Sequence, residues 1–225
     1  IKFFEHGNVF RKIKNGFAQE SNISGLIYFH ESQKTWSDKS LQYDFYSLKA
    51  EVLQLLETIR VKSIKLVPNS SSMIFTVNAM DIFAGKRKIG MLGEINPTAT
   101  QKLIKNPAFG FEIYPEKIST KSSTLKLKPI SKFPSSSRDL NILINQSYSY
   151  AEIETVLLNS KIQFLHILAL ANTFEGKGIP DGFISMTLRF MFQSPVKSLK
   201  ESEINTSMDK AFHLLNKAFK AKIRS

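Results

Sequence analysis

The sequence predicts an α+β protein made of two unlike modules, and three observations carry this prediction. The chain has 225 residues, 42% of them apolar and 22% charged, which is typical of one large globular domain or two small ones. A polar run without periodicity, residues 119–124, separates two segments of strong hydrophobic pattern. Each segment combines residues at helical spacing with residues that alternate as in strands.

The first segment predicts a mixed, mostly antiparallel sheet with helices. Strand patterns cover residues 24–30, 73–83, 88–92 and 109–114, and Gly85-Lys86 supplies a hairpin turn between the second and third of them. Apolar residues recur at helical spacing from Phe45 to Ile59, and Asp44 is placed to cap that helix. Pro97 opens a short helix that is predicted to run through Ile104.

The second segment predicts the order strand, helix, strand, strand, helix, strand, which is the ferredoxin-like βαββαβ arrangement. The predicted strands are residues 139–144, 163–174, 183–193 and 221–223. Ser149 and Glu152 form a capping box before the first helix, and the second helix carries apolar residues from Ile204 to Phe219. We place the modules at residues 1–119 and 128–225, with a linker at 120–127.

Charge is the first indication of function. Lys and Arg number 31 against 19 Asp and Glu, a net charge of +12, and the segment after residue 119 has 15 basic and 8 acidic residues, a net charge of +7. Such an excess is typical of polyanion binders, although a solvated basic surface has the same composition. The absence of cysteine excludes disulfides and thiolate chemistry and favours a cytoplasmic location. No apolar run approaches the roughly 18 residues of a membrane span.

Catalysis finds little support in the sequence. The four histidines, His6, His30, His166 and His213, are far apart and lack partners at metal-site spacing. The run from Gly90 to Gly93 lacks the downstream Gly and Lys of a phosphate-binding loop, and we interpret it as turn geometry at the end of a strand. We therefore predict no catalytic residue and no metal ligand.

The predicted βαββαβ domain has an open sheet face, because both of its helices cover the other face. RNA-binding modules of this topology stack unpaired bases on that face. The candidate RNA-binding residues are Arg138, Asn141, Asn172, Phe174, Ser185 and Arg189. Phe174 can stack on a base, the two asparagines can read a base edge, and either arginine can pair with phosphate.

For two of these residues, a purely structural role is an alternative to RNA binding. Phe174 can instead pack under a loop, and Asn172 can cap a turn. In the same strand, Leu168 and Leu170 share parity with Asn172 and Phe174. Either part of the open face is covered, or a bulge changes the register within this strand.

Ordered motifs in both segments extend these observations. They are, in chain order, Phe4 to Phe10, Tyr43 to Lys49, Ile89 to Pro97, Lys132-Phe133-Pro134, Arg138-Asp139-Leu140, Phe174-Glu175-Gly176, Ile179-Pro180, Ser198-Leu199 and Ile223-Arg224. This sequence resembles the C-terminal region of the phenylalanyl-tRNA synthetase beta chain. The first segment is similar to the end of its class II synthetase-like module, and the second to its ferredoxin-fold anticodon-binding domain.

The resemblance implies an alpha-two, beta-two ligase that uses ATP and magnesium to attach phenylalanine to its tRNA, with the catalytic centre on the alpha chain. It implies that this segment is non-catalytic, binds no cofactor itself, contacts the alpha chain and binds the anticodon region of phenylalanine tRNA. Two departures from the family pattern bear on the site: Asn172 and Phe174 stand where members commonly have Asp and Tyr, and Lys200 replaces a Thr helix cap.

Two other functions compete with this one. A free-standing RNA-binding module would explain the open sheet, and an acylphosphatase-like hydrolase would share the topology but needs a Gly-rich phosphate loop that is absent from this sequence. The first residue is Ile1, and we expect the chain to be part of a longer polypeptide.

Overall fold

The chain divides into two compact units, Ile1–Thr124 and Leu125–Ser225. A computed structural model describes residues 1–28, 43–100, 104, 106–119 and 130–224. The predicted linker at 120–127 and the end of the first predicted strand, residues 29 and 30, lie outside the described residues.

Unit 1 is a six-stranded antiparallel sheet with a helix on one face. Its elements are β1 (Lys2–Ile13), β2 (Gly16–Tyr28), α1 (Phe45–Thr58), β3 (Ile64–Pro68), β4 (Phe75–Ala84), β5 (Arg87–Ile95), α2 (Pro97–Thr100), β6 (Ala108–Ile113) and a 3-10 turn (Pro115–Lys117). The strand order is β1-β2-β6-β5-β4-β3. Leu48, Val52 and Leu56 of α1 are buried against sheet residues such as Ile82 and Leu92.

Local sequence explains where α1 begins. The Asp44 carboxylate accepts a hydrogen bond from the backbone N–H of Ser47 at 2.8 Å, which satisfies one of the free donors of the first turn. This interaction holds the pKa of Asp44 below its ordinary value. The predicted cap and helix are confirmed.

Several predicted bounds in unit 1 need correction. Strand β4 begins at Phe75 rather than at residue 73, because the Ser72 hydroxyl accepts from the Phe75 N–H at 3.0 Å and turns the chain there. Helix α2 is a single turn, Pro97–Thr100, and Ile104 is not helical. Strands β1 and β3 and the first half of β2 were not predicted; the apolar residues of β1 follow no period of two, and β3 has only five residues.

The interpretation of Gly90 to Gly93 as a turn is wrong, because both glycines lie within β5. A Cβ at Gly90 would lie 2.4 Å from the backbone oxygen of Glu112 on β6, and one at Gly93 would lie 2.7 Å from Cβ of Phe75. These positions need glycine because the neighbouring atoms approach too closely for any side chain.

Unit 2 is a four-stranded antiparallel sheet with two helices. Its elements are β7 (Ser136–Asn145), α3 (Tyr150–Asn159), β8 (Leu165–Phe174), β9 (Phe183–Phe192), α4 (Glu201–Phe219) and β10 (Lys222–Ile223). The strand order is β10-β7-β9-β8. This is the predicted ferredoxin-like arrangement, and the α+β fold class is confirmed for the whole chain.

The helix starts of unit 2 differ in how they are capped. At α3 the predicted capping box is confirmed: the Glu152 carboxylate accepts from the Ser149 N–H at 2.8 Å. At α4 the Lys200 side chain makes no capping hydrogen bond, and the Glu203 carboxylate accepts from the Lys200 N–H at 3.0 Å. Strand β8 starts at Leu165, two residues later than predicted, because Phe164 has a left-handed φ of 61° that ends the turn before it.

Candidate nucleic-acid interface

One face of the unit 2 sheet is covered by α3 and α4, and the other is not covered by them. The buried cluster contains Ile142 and Ile144 of β7, alternate residues of β9 and the apolar sides of both helices. On β9, Leu188 and Phe190 are fully buried, whereas Arg189 between them is exposed. The alternation predicted for this strand is confirmed, and the opposite face, called the open face below, carries its polar residues.

A bulge in β8 decides which of its residues reach the open face. Leu168 and Leu170 pair with Phe190 and Leu188, whose side chains face the helices. The register then shifts between Leu170 and Asn172. Beyond the shift, Asn172 pairs with Thr187 and Phe174 pairs with Ser185, both on the open face. Of the two alternatives left open by the sequence, the bulge is therefore the one that occurs.

The open face has a depression of about 250 Å³ at the end of β8. It is lined by Asn141, Asn172, Phe174, Ser185, Thr187 and Arg224. Four of the six predicted residues, Asn141, Asn172, Phe174 and Ser185, thus lie together. Phe174 does not pack under a loop: 43% of its surface is exposed, and its ring forms one wall of the depression.

The polar groups of the depression are only partly engaged with one another. The Thr187 hydroxyl donates to the amide oxygen of Asn141 at 2.8 Å, which fixes the orientation of that amide. Within the described part of the chain, no hydrogen bond is made by the Asn172 side chain or by the amide nitrogen of Asn141. Amide groups of this kind offer both donors and acceptors to a base edge.

Arg224 is a member of this site that the sequence reasoning missed. Its guanidinium carbon lies 5.2 Å from the centroid of the Phe174 ring, within the range of a cation–π contact. Its backbone N–H donates to the backbone carbonyl oxygen of Asn141 at 3.0 Å. This hydrogen bond extends the pairing of β10 with β7. The motif Ile223-Arg224 was the signal in the sequence, but its position beside Phe174 depends on that strand pairing.

The two predicted arginines lie outside the depression. Arg189 is on the open face and is held by Asp139: its Nε and Nη2 donate to the two carboxylate oxygens at 2.8 and 2.7 Å. These hydrogen bonds lower the pKa of Asp139 and raise that of Arg189.

Arg138 lies on the opposite side of the sheet. It pairs in register with Phe190, and its Nη2 donates to both carboxylate oxygens of Glu201, in the first turn of α4, at 2.6 and 2.7 Å. The structure therefore separates Arg138 from the other five candidate residues.

An open four-stranded sheet with an exposed aromatic ring, amide groups with free hydrogen-bonding capacity and an arginine defines a class of protein. It has the arrangement of RNA-binding domains that stack unpaired bases on a sheet. Among the described residues, no group of three or more His, Cys, Asp or Glu is placed to hold a metal ion. No helix in the same residues is long and apolar enough to cross a membrane.

Comparisons with known proteins agree with this class and narrow it. Residues 131–224 match the family model of the ferredoxin-fold anticodon binding domain. Residues 1–114 match the model of the phenylalanyl tRNA synthetase beta chain CLM domain, which covers half of the chain. The chain therefore belongs to the phenylalanyl-tRNA synthetase beta chain family.

Curated relatives carry the corresponding name. The chain is 30% identical over 229 residues to the phenylalanine–tRNA ligase beta subunit of Pseudoalteromonas translucida, with all of this chain and 29% of the relative covered. It is 26% identical over 226 residues to that subunit of Legionella pneumophila, with all of this chain and 28% of the relative covered. The chain thus spans less than a third of the length of these relatives.

Proposed function

We propose that this chain is the tRNA-binding and assembly segment of a phenylalanine–tRNA ligase beta subunit. In this proposal it binds the anticodon region of phenylalanine tRNA and orients the tRNA for aminoacylation on the alpha subunit. The observation that supports it best is the depression on the open face, where Phe174, Asn172 and Arg224 converge in a domain matched to an anticodon-binding family.

Each group in the depression has a physical role in this proposal. The exposed Phe174 ring stacks on an unpaired anticodon base, because every base offers a flat π face. The Asn172 and Asn141 amides hydrogen-bond to base edges, and the Arg224 guanidinium contacts phosphate. Ser185, which is 5% exposed, lies opposite Phe174 in the register and forms the floor beneath the base.

The mechanism is one of positioning, without chemistry on this segment. Binding the anticodon holds a large substrate in one orientation, so its acceptor end reaches the catalytic centre as in an intramolecular reaction. We place that centre on the alpha chain of an alpha-two, beta-two enzyme in the cytoplasm. In this proposal the ATP and magnesium of the whole enzyme act there too.

The departures from the family pattern at Asn172 and Phe174 affect which hydrogen bonds the depression can make with a base. Phe174 can still stack, but it lacks the phenolic hydroxyl that Tyr would supply. Asn172 replaces a carboxylate, which only accepts hydrogen bonds, with an amide that both donates and accepts. The site therefore retains its stacking platform and changes its hydrogen-bonding pattern.

The experiment that tests the proposal measures binding of the 225-residue chain to the anticodon stem-loop of phenylalanine tRNA. A stem-loop of the same length with a scrambled anticodon is the matched control, and both are titrated across a salt series. We expect tighter binding of the cognate loop and a logarithm of affinity that falls linearly with the logarithm of salt concentration. Equal affinity for both loops, or no binding to either, would contradict the proposal.

A further inference from the structure

The Asp139–Arg189 ion pair lies on the open face, beside the depression but outside it. Asp139 and Arg189 face each other directly across β7 and β9, and the next open-face pair along these strands is Asn141 with Thr187. Successive pairs on one face of a sheet are about 7 Å apart. A nucleic acid lying on the depression therefore passes close to this ion pair.

The geometry of the pair is unusual for solvent-exposed charges. Side chains that remain 52% and 40% exposed are joined by two parallel hydrogen bonds of 2.8 and 2.7 Å. Most exposed ion pairs are weak because two long side chains must be ordered, and a bidentate arginine–carboxylate pair is the recognised exception. Arg189 and Asp139 therefore form a pair with no net charge on the open face.

Cations at the other end of the open face are arranged differently. Arg224 lies on the Phe174 ring, and Lys222 pairs in register with Leu143, the next open-face residue of β7 after Asn141. Within the described residues, neither Lys222 nor Arg224 forms an ion pair with a carboxylate. The open face therefore carries uncompensated positive charge at the depression and compensated charge beyond it.

The surface around Arg189 is also less polar than the depression. Ala169 pairs with Arg189, and the next row contains Met191 and Ile167, of which Ile167 is 46% exposed. An apolar surface with a neutral ion pair offers little to a phosphate group. If Arg189 were free, it would offer phosphates a second contact point and a second register for the RNA.

We propose that Asp139 is a positioning residue for the RNA: by neutralising Arg189, it confines phosphate binding to the Arg224 and Lys222 end of the open face, over Phe174. This inference rests on the proposed function, because it assumes that RNA binds the open face. The negative charge of Asp139 opposes RNA binding as such. In this inference the same charge improves selectivity for the cognate loop, because it disfavours the alternative register.

The test uses the isosteric variant Asp139→Asn in the 225-residue chain and the same two stem-loops. Freeing Arg189 should tighten binding of the scrambled loop by roughly three- to tenfold and that of the cognate loop by less than about threefold. The preference for the cognate loop should fall accordingly. The salt slope should become steeper by roughly 0.7 to 0.9, the contribution of one phosphate contact.

Two further variants separate this role from a simple change of net charge. Asp209→Asn makes the same change at an exposed residue of α4, on the helix side of the sheet, and should leave both the preference and the salt slope unchanged. In an Arg189→Gln background, Asp139→Asn should lose most of its effect, because no cation remains to be released.

The outcomes are distinguishable. A cognate preference that falls with Asp139→Asn, but not with Asp209→Asn or in the Arg189→Gln background, supports the inference. Equal effects of the two Asn variants, or an undiminished effect of Asp139→Asn without Arg189, would overturn it while leaving the proposed function intact. If the unaltered chain shows no cognate preference, or Phe174→Ala does not weaken binding, the proposed function itself fails.

Discussion

The two sheets of this chain share an architecture and differ in the chemistry of one face. Each is antiparallel, and one face of each is covered by helix, α1 in unit 1 and α3 with α4 in unit 2. On the other face of the unit 1 sheet, Glu112 accepts hydrogen bonds from Asn22 at 2.8 Å and from Tyr114 at 3.2 Å, although the Asn22 amide oxygen has no partner among the described residues. On the open face of unit 2, the Asn172 amide makes no hydrogen bond within the described residues, and the Phe174 ring contacts Arg224.

One aromatic residue on each sheet shows a further contrast, although Phe17 and other aromatic residues of β1 and β2 are exposed. Phe75 lies over Gly93 and Gly110 on the unit 1 sheet and is 5% exposed, so its ring fills space within the protein. Phe174 stands at the edge of a depression and is 43% exposed. The comparison teaches that fold alone does not make a binding surface. In the proposed function, the open face of unit 2 binds RNA through its exposed ring and its amide donors.

The largest effect expected from this comparison is on stability. Phe75→Ala should lower the free energy of unfolding by about 3 kcal/mol, because it opens a cavity over two glycines that cannot fill it. Urea denaturation measures this change, with Phe17→Ala, at a residue 72% exposed, as the matched control. A loss similar to that of the control would mean that Phe75 does not fill space within unit 1.

The same substitution on the other sheet should affect binding instead. Phe174→Ala is expected to weaken binding of the anticodon stem-loop by roughly 1 to 3 kcal/mol, the value of one base stacked on an aromatic ring. Stability should fall less than for Phe75→Ala, because Phe174 is 43% exposed and Phe75 is 5% exposed. Phe174→Tyr preserves the ring and should retain affinity. If the Ala variant binds as the unaltered chain does, Phe174 is not part of the site.

A smaller effect is expected from the cation beside that ring. Arg224→Gln should reduce affinity roughly five- to tenfold and make the salt slope shallower by roughly 0.7 to 0.9, for both stem-loops. Lys210→Gln, at an exposed position of α4, is the control and should leave the slope unchanged. A loss confined to the cognate loop would indicate that Arg224 reads a base rather than phosphate.

The smallest effect concerns the helix cap of unit 1 and depends on pH. Asp44→Ala should cost about 1 kcal/mol of stability at pH 7. Because the folded-state pKa of Asp44 lies below its ordinary value of 3.8, its stabilisation is present above pH 3.8 and lost as pH falls through the folded-state pKa. Denaturation at pH 7 and at a series of pH values below 3.8 measures this loss, and RNA binding by unit 2 at pH 7 should not change.

The control for the cap is Glu57→Ala, an exposed carboxylate near the other end of α1. It should show neither the cost at pH 7 nor its disappearance in acid. If the penalty of Asp44→Ala does not shrink at any pH below 3.8, the ionised carboxylate is not what stabilises the cap.

The sequence was sufficient for features that depend on residues close together in the chain. The caps at Asp44 and Ser149 join groups three residues apart, and the alternation of β9 follows from strand geometry alone. Alternation also determines that Arg138 and Asn141, which are three residues apart in β7, lie on opposite faces of the sheet, as the structure shows.

The remaining features depend on contacts between distant parts of the chain. The bulge between Leu170 and Asn172 exists because β8 must match the hydrogen-bonding groups of β9, and it moves Phe174 to the open face. Gly90 is required by the backbone of β6, which lies more than 20 residues away. Neither can be read from local periodicity.

The sequence by itself determined that this chain forms two α+β modules, where its capped helices begin, and which family it resembles. The tertiary structure alone decided that Arg224 joins Phe174, that Arg189 is neutralised by Asp139, and that Arg138 pairs with Glu201. The physical reason is that helix caps and alternation arise from neighbouring residues, whereas a site on a sheet depends on strand register, and register is fixed by partners far away in the chain.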